Sequence, residues 1–186
     1  MAKQHNKTLV QAAAIETLGK LTDPELKQIF VKGLESKSFA VLGKSLVAMY
    51  YVDQNLAIKK SKELPDEVRK ILANPLTKIF IEANDESELA FIAKNIISGM
   101  YLSGNSTNKA LYEKAFNRVS KSNNIKAIKN LLDDMAAKGI QYKKFNFNKV
   151  MINLMRSMVL EQEKSSNSNK DRNIAIIKAA MASLIE

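Results

Sequence analysis

The sequence predicts an all-α protein assembled from successive helical hairpins, and three observations predict it. Apolar residues recur at spacings of three and four along most of the chain, and no segment shows the period-two alternation of a half-buried strand. A pattern also repeats. Val10, Ala14, Thr17, Leu18 and Gly19 return 31 positions later as Val41, Ser45, Ala48 and Met49, and return again, degraded, a further 27 positions on as Val68, Leu72, Pro75 and Leu76. Each copy then meets an Asp suited to a helix start, at Asp23, Asp53 and Asp85, with Leu26, Leu56 and Leu89 close behind. Self-similarity at a near-constant period is the signature of an α-solenoid. The predicted architecture is therefore a right-handed superhelix of antiparallel helix pairs with about nine or ten helices. An irregular bundle with even helix lengths is the plainer alternative, but two positional series recurring together favour the repeat.

Each element has a local reason. Met1 to Lys7 reads as a polar lead, and the repeat domain as residues 8–186, clearest over 8–101 and less regular over 106–186. The first helix, about Thr8 to Leu21, has Val10, Ala14, Leu18 and Leu21 as its expected inward stripe. Asp23 can accept from the free N–H groups of the next helix and favours its positive end, and Pro24 sits where a missing N–H costs nothing. That helix carries Leu26, Ile29, Phe30, Gly33 and Leu34, and Ser36 to Ser38 form a turn. The second pair runs through Phe39, Leu42, Leu46, Val47 and Tyr50, then from Asp53 through Leu56, Ala57 and Leu64. In the third pair Asn74-Pro75 falls inside a periodic run, which predicts a kink or two short helices. Its partner, from Asp85, carries Leu89, Ile92, Ala93, Ile96, Ile97 and Met100, and Ser103 to Thr107 is a polar loop.

Beyond this the repeat blurs. One helix from about Thr107 shows Leu111, Ala115, Phe116 and Val119; another, from Asn124, shows Ile125, Ile128, Leu132 and Met135 and is expected to stop near Gly139. A basic-aromatic stretch, Tyr142 to Phe147, precedes a helix through Val150, Met151, Leu154 and Met158. Lys164 to Asn173 is the best linker candidate, and a last helix spans Ile174 to Ile185 with Ile177, Met181 and Leu184.

Composition narrows the chemistry. At 186 residues the chain can bury on the order of 70% of its unfolded surface without staples. The absence of Cys excludes disulfide scaffolds, thiolate metal sites and cysteine nucleophiles, and leaves the compartment open. No apolar run approaches the ~18 residues of a membrane span. The abrupt start of the apolar pattern at Thr8, without the polar cap that solenoid ends carry, suggests a piece of something longer. Of the net charge of +10, residues up to Asn105 contribute 14 basic against 12 acidic, or +2, and those from Ser106 contribute 15 against 7, or +8. A basic half attracts nucleic acid or acidic surfaces. Only four of the 29 basic residues are Arg, namely Arg69, Arg118, Arg156 and Arg172. Planar phosphate recognition favours Arg, so a solvated lysine face accounts better for the charge than a nucleic-acid site.

The search for reactive groups mostly eliminates. The single His, His5, lies in the polar lead, which removes imidazole-pair metal sites and Ser-His-Asp triads. Glu86 and Glu88, Asp133 and Asp134, and Glu161 and Glu163 are spaced to point to different sides of a helix and read as solvated surface. Gly99 to Gly104 mimics a phosphate-binding loop, but Asn105 stands in place of its lysine and no strand precedes it. Tyr142 to Phe147 has the residue types of a single-strand stacking strip, or of rings packed under the next helix with wet lysines. The methionines, among them Met151, Met155, Met158 and Met181, suit gap-filling in a core. No residue is therefore expected as a catalytic, cofactor or metal site.

The run Gln11-Ala-Ala-Ala-Ile-Glu-Thr-Leu-Gly-Lys-Leu-Thr-Asp-Pro-Glu-Leu26 resembles a HEAT-type repeat, with Gln11 where that pattern usually has Arg. Its succession by Phe39-Ala-Val-Leu-Gly-Lys-Ser-Leu46, the Asp53 helix and Glu88-Leu-Ala-Phe-Ile-Ala-Lys94 resembles the C-terminal HEAT-like region of bacterial zinc aminopeptidases of the alanyl-aminopeptidase and leukotriene-hydrolase type. The likeness runs from Thr8 to about Ser120. The family's H-E-x-x-H zinc helix and G-x-M-E-N strand are missing from this chain, so no catalytic residue carries over. The resemblance implies a non-catalytic accessory domain without cofactor of its own, with zinc in the parent enzyme's catalytic domain. That upstream domain would be its partner in cis, and the helical domain would restrict which peptides enter. The alternative is a free-standing HEAT-like adaptor that binds a protein or, weakly, nucleic acid through its basic C-terminal half.

Overall fold

The computed structural model describes residues 2–102 and 106–185, and the side chains of all of these except residues 2–5 and 106–107. The described residues form twelve α-helices with no strand, and 82% helix overall. They are Ala2–Gly19 (α1), Lys27–Leu34 (α2), Phe39–Val52 (α3), Gln54–Glu63 (α4), Asp66–Ile71 (α5), Ala73–Glu82 (α6), Leu89–Ala93 (α7), Ile96–Tyr101 (α8), Ser106–Lys121 (α9), Ile125–Gln141 (α10), Phe147–Lys164 (α11) and Lys170–Ala182 (α12). Short 3₁₀ turns at Pro24–Leu26, Glu86–Glu88 and Lys143–Phe145 lead into α2, α7 and α11. The chain divides into two compact units, Met1–Asn84 and Asp85–Glu186, a boundary earlier than the loss of regularity near residue 101 that the sequence suggests.

The three Asp caps form as their spacing predicts. Asp23, Asp53 and Asp85 each accept a backbone N–H, from Glu25, Leu56 and Ser87 respectively, and Pro24 occupies the first turn after Asp23. Asp53 also pairs with Lys27 at 2.7 Å, so the cap of α4 is tied to α2.

In the first unit α3 is the hub. Val41, Leu46 and Met49 have no exposed surface, and α1, α2, α4 and α6 all pack against this helix. The approach is close because the facing residues are small: a Cβ built at Gly19 would lie 2.7 Å from Ala48 Cβ, and one at Gly33 would overlap Ser45. On another side of α3, Gly43 faces Leu72 and Pro75. Close ridge-into-groove packing needs such small residues.

In the second unit α10 occupies the corresponding place, packed by α7, α9, α11 and α12. Its core joins Leu89, Ile92, Ile97, Tyr112, Ile128 and Met135 to Met151, Met155 and Met158, all buried.

Five expectations are corrected. The inward stripe of α1 is Ala12, Ile15 and Gly19 with Leu18 half-buried, whereas Val10 is 70% and Leu21 63% exposed; the apolar line through Val10 is real, but it faces away from α3. The helix also begins earlier than Thr8, taking in most of the polar lead. Twelve helices replace nine or ten: the third run divides as Pro75 predicts, and the run from Asp85 divides as well. Pro75 cannot accept a continuous turn behind it, so the third run divides at Leu72. The run from Asp85 divides at Lys94–Asn95, where Asn95 Nδ2 donates to the Phe91 carbonyl at 3.4 Å and competes with the helical ladder. Gly139 does not stop α10, which continues to Gln141; it is a contact glycine against Leu184 and Met151. Lys164 to Asn173 is no linker: α12 starts at Lys170, and Gln162 and Asn173 are completely buried.

Candidate interaction surfaces

Two polar clusters organise the described side chains. In the first unit, one surface gathers groups from four helices. Glu16 of α1 pairs with Lys44 of α3 at 2.7 Å, and the Tyr51 hydroxyl of α3 donates to Glu82 of α6 at 3.2 Å. The Lys78 ammonium lies 5.2 Å from the Tyr51 ring centroid, Tyr50 stands edge-on to Tyr51 at 5.6 Å, and Gln54 donates to the Tyr50 hydroxyl. Partners on α1 and α3 thus stand 28 positions apart, from Glu16 to Lys44, and partners on α3 and α6 stand 31 apart, from Tyr51 to Glu82.

The electrostatics of this surface are those of a fixed network. The hydrogen bond from Lys44 lowers the Glu16 carboxyl, and burial together with Glu82 raises the Tyr50 hydroxyl. Burial opposes the charge on Lys78, yet Tyr51, Glu82 and Glu16 together raise its pKa. All three shifts move away from neutrality, so these groups hold charge or hydrogen bonds and do not trade protons near pH 7.

In the second unit, amide side chains join the elbow between α11 and α12 to the end of α9. Gln162 Nε2 donates to the Ser120 carbonyl at 2.6 Å, and Gln162 Oε1 accepts from Asn173 at 3.0 Å and from Asn167 at 3.3 Å. Asn167 also donates to the Ser122 carbonyl at 2.9 Å. Gln162 and Asn173 are buried and bonded to one another, with Asn173 Oδ1 left without a partner, and such a network fixes the packing around it. Sequence reasoning missed this cluster because a run of Ser and Asn reads as a loop until its partners 42 and 45 positions away are known.

The residues singled out in the sequence are not brought together. The side chain of His5 lies outside the described residues, and so do Gly104 and Asn105 as a whole. Gly99 lies in α8 with the Tyr112 ring against it, which makes it a packing glycine. Glu86 pairs with Arg118 at 2.8 Å, Glu161 pairs with Lys121 at 3.2 Å, and Glu88 is buried. Asp133 is exposed, whereas Asp134 is half-buried, and burial pushes its carboxyl up to about 6 against the pull of Lys138 and the Ile97 amide. In the basic-aromatic stretch Tyr142 and Phe147 pack edge-on at 5.9 Å, while Phe145 stays 68% exposed beneath the Lys144 ammonium. Met151, Met155 and Met158 are core residues, and Met181 is half-buried.

Among the described residues no group of three or more His, Cys, Asp or Glu could hold a metal ion, and no helix is long and apolar enough to cross a membrane. No protein-family model, curated protein or solved structure matches the chain.

Proposed function

We propose that this chain is a HEAT-like α-solenoid, a right-handed superhelix of helix pairs, that serves as a non-catalytic accessory domain of a zinc aminopeptidase and governs which peptides reach its cleft. The observation that carries the repeat is the recurrence of an Asp cap at positions 23, 53 and 85, together with partner contacts between successive first helices at near-constant spacing. The assignment to an aminopeptidase rests on the resemblance of Gln11 to Leu26, Phe39 to Leu46 and Glu88 to Lys94 to that family's C-terminal region. A solenoid acts through a shaped surface, and the aromatic, ion-paired face around Tyr51 and Lys78 suits contact with a polar partner.

The native polypeptide tests this. An antibody raised against the chain should recover from the source cells a protein far heavier than 20.8 kDa, holding one zinc per molecule and releasing N-terminal residues from peptides. A native species of 20.8 kDa without zinc would overturn the reading and leave the adaptor.

A second reading, nucleic-acid binding, draws on Phe145 and Lys144. It is weakened by the distribution of charge over the units. Residues 1–84 carry 13 basic and 9 acidic groups, or +4, and residues 85–186 carry 16 and 10, or +6, so the basic excess is not concentrated in one of them.

A further inference from the structure

We infer that the outer face of α1 is a seat for a helical hairpin outside these 186 residues, one built like α1 and α2, with a small residue where each of its two helices meets the seat. Val10, Ala14 and Thr17 follow one another at i, i+4 and i+7, which places them in a single line along α1, and Leu21 lies in the turn two residues past the end of that helix. That line lies opposite the buried Ala12, Ile15 and Gly19, and its three residues are exposed, as is Leu21. The Thr17 hydroxyl donates to the Ala13 carbonyl at 3.0 Å, so the line's one side-chain donor already has its acceptor within the helix.

The repeat register identifies what covers such a line. Val41, Ser45 and Ala48, 31 positions further on, form the equivalent line on α3 and are buried to within 2%. The preceding hairpin buries them: Gly19 of α1 comes up to Ala48, and Gly33 of α2 comes up to Ser45. α1 therefore presents uncovered the surface that α3 presents covered. A hairpin of the same kind fits it by the same geometry, its two small residues meeting Thr17 and Ala14. A second copy of this chain does not offer that face, because its Gly19 and Gly33 are already seated on its own α3. The repeat register alone identifies the seat, whether or not the parent is a zinc enzyme.

The Cys-free chain allows a direct test. Val10→Cys is made in the 186-residue protein and, at the same residue, in a protein carrying a second copy of residues 8–38 placed directly before residue 8. Reaction of that thiol with a small maleimide should be about tenfold slower in the extended protein, as for a site that must open before it reacts. A Lys126→Cys control should react equally in both. In parallel, Val10→Asp should leave the Tm of the 186-residue protein unchanged and lower that of the extended protein by about 2–4 °C. Equal thiol rates with no Tm difference would overturn the inference. So would protection of the introduced thiol in the 186-residue protein that grows with its concentration, which would make a second copy the occupant.

Discussion

Asp134 is the described carboxylate whose surroundings work against its charge: it sits between α10 and the start of α8, accepts from the Ile97 amide, and has one oxygen, Oδ2, buried without a partner. With a folded pKa of about 6, above the value of an unfolded Asp, the folded state binds the proton more tightly. Its ionisation therefore opposes folding: the penalty is absent below about pH 4, grows as pH rises and is complete above about pH 6. Asp134→Asn removes the titration. The stability of the variant relative to the parent should rise by about 1 kcal/mol between pH 5 and pH 8, a figure already reduced for the partial exposure of the carboxyl. Urea unfolding at both pH values measures it, and a flat difference would show that the Ile97 amide and Lys138 fully offset the burial.

At the scale of elements, the seams between helices matter more than the helices themselves. α2 has only eight residues, too few to be helical alone, and is held by Asp23, by the Lys27 pair with Asp53 and by the approach of Gly33 to Ser45. Gly33→Val should cost about 1–3 kcal/mol by overpacking that approach. Adding Ser45→Gly should restore part of the loss, because the two positions share one contact. Chemical denaturation of the single and double variants reads the coupling, and additive losses would mean that α2 meets α3 elsewhere. The prolines and asparagines act as punctuation at the same scale. Pro75 and Asn95 each break a periodic run, while Asn84 and Asn146 take the left-handed backbone, at φ 57 and 59, that lets the chain turn out of a helix.

For the whole molecule the relevant quantities are charge and the two units. With +4 and +6 on the units and basic groups that are mostly lysine, a labelled single-stranded oligonucleotide should bind weakly at low salt and be released by about 150 mM salt, as scattered phosphate contacts are. Fluorescence anisotropy across a salt series measures this, and sequence-selective binding that survives such salt would promote the nucleic-acid reading. Replacing Phe145 by Ala should leave that weak binding unchanged, since lysine charge and not stacking supplies it.

The sequence by itself determined the helical class, the three Asp caps, the break at Pro75 and the core role of Met151, Met155 and Met158. These depend on local rules: the 3.6-residue period, a side chain reaching a backbone amide two or three residues on, and a ring that blocks a turn. It also marked an apolar line at Val10, Ala14, Leu18 and Leu21, but only the tertiary structure decided which side of α1 faces α3. A helix apolar on two sides satisfies periodicity in either direction, and the choice fell to the side whose Gly19 lets Ala48 approach. The cluster of buried Gln162 and Asn173 with half-buried Asn167 was decided in the same way. An amide run is a loop or a core according to whether carbonyls from a distant helix arrive to accept its hydrogens, and here those of Ser120 and Ser122 do.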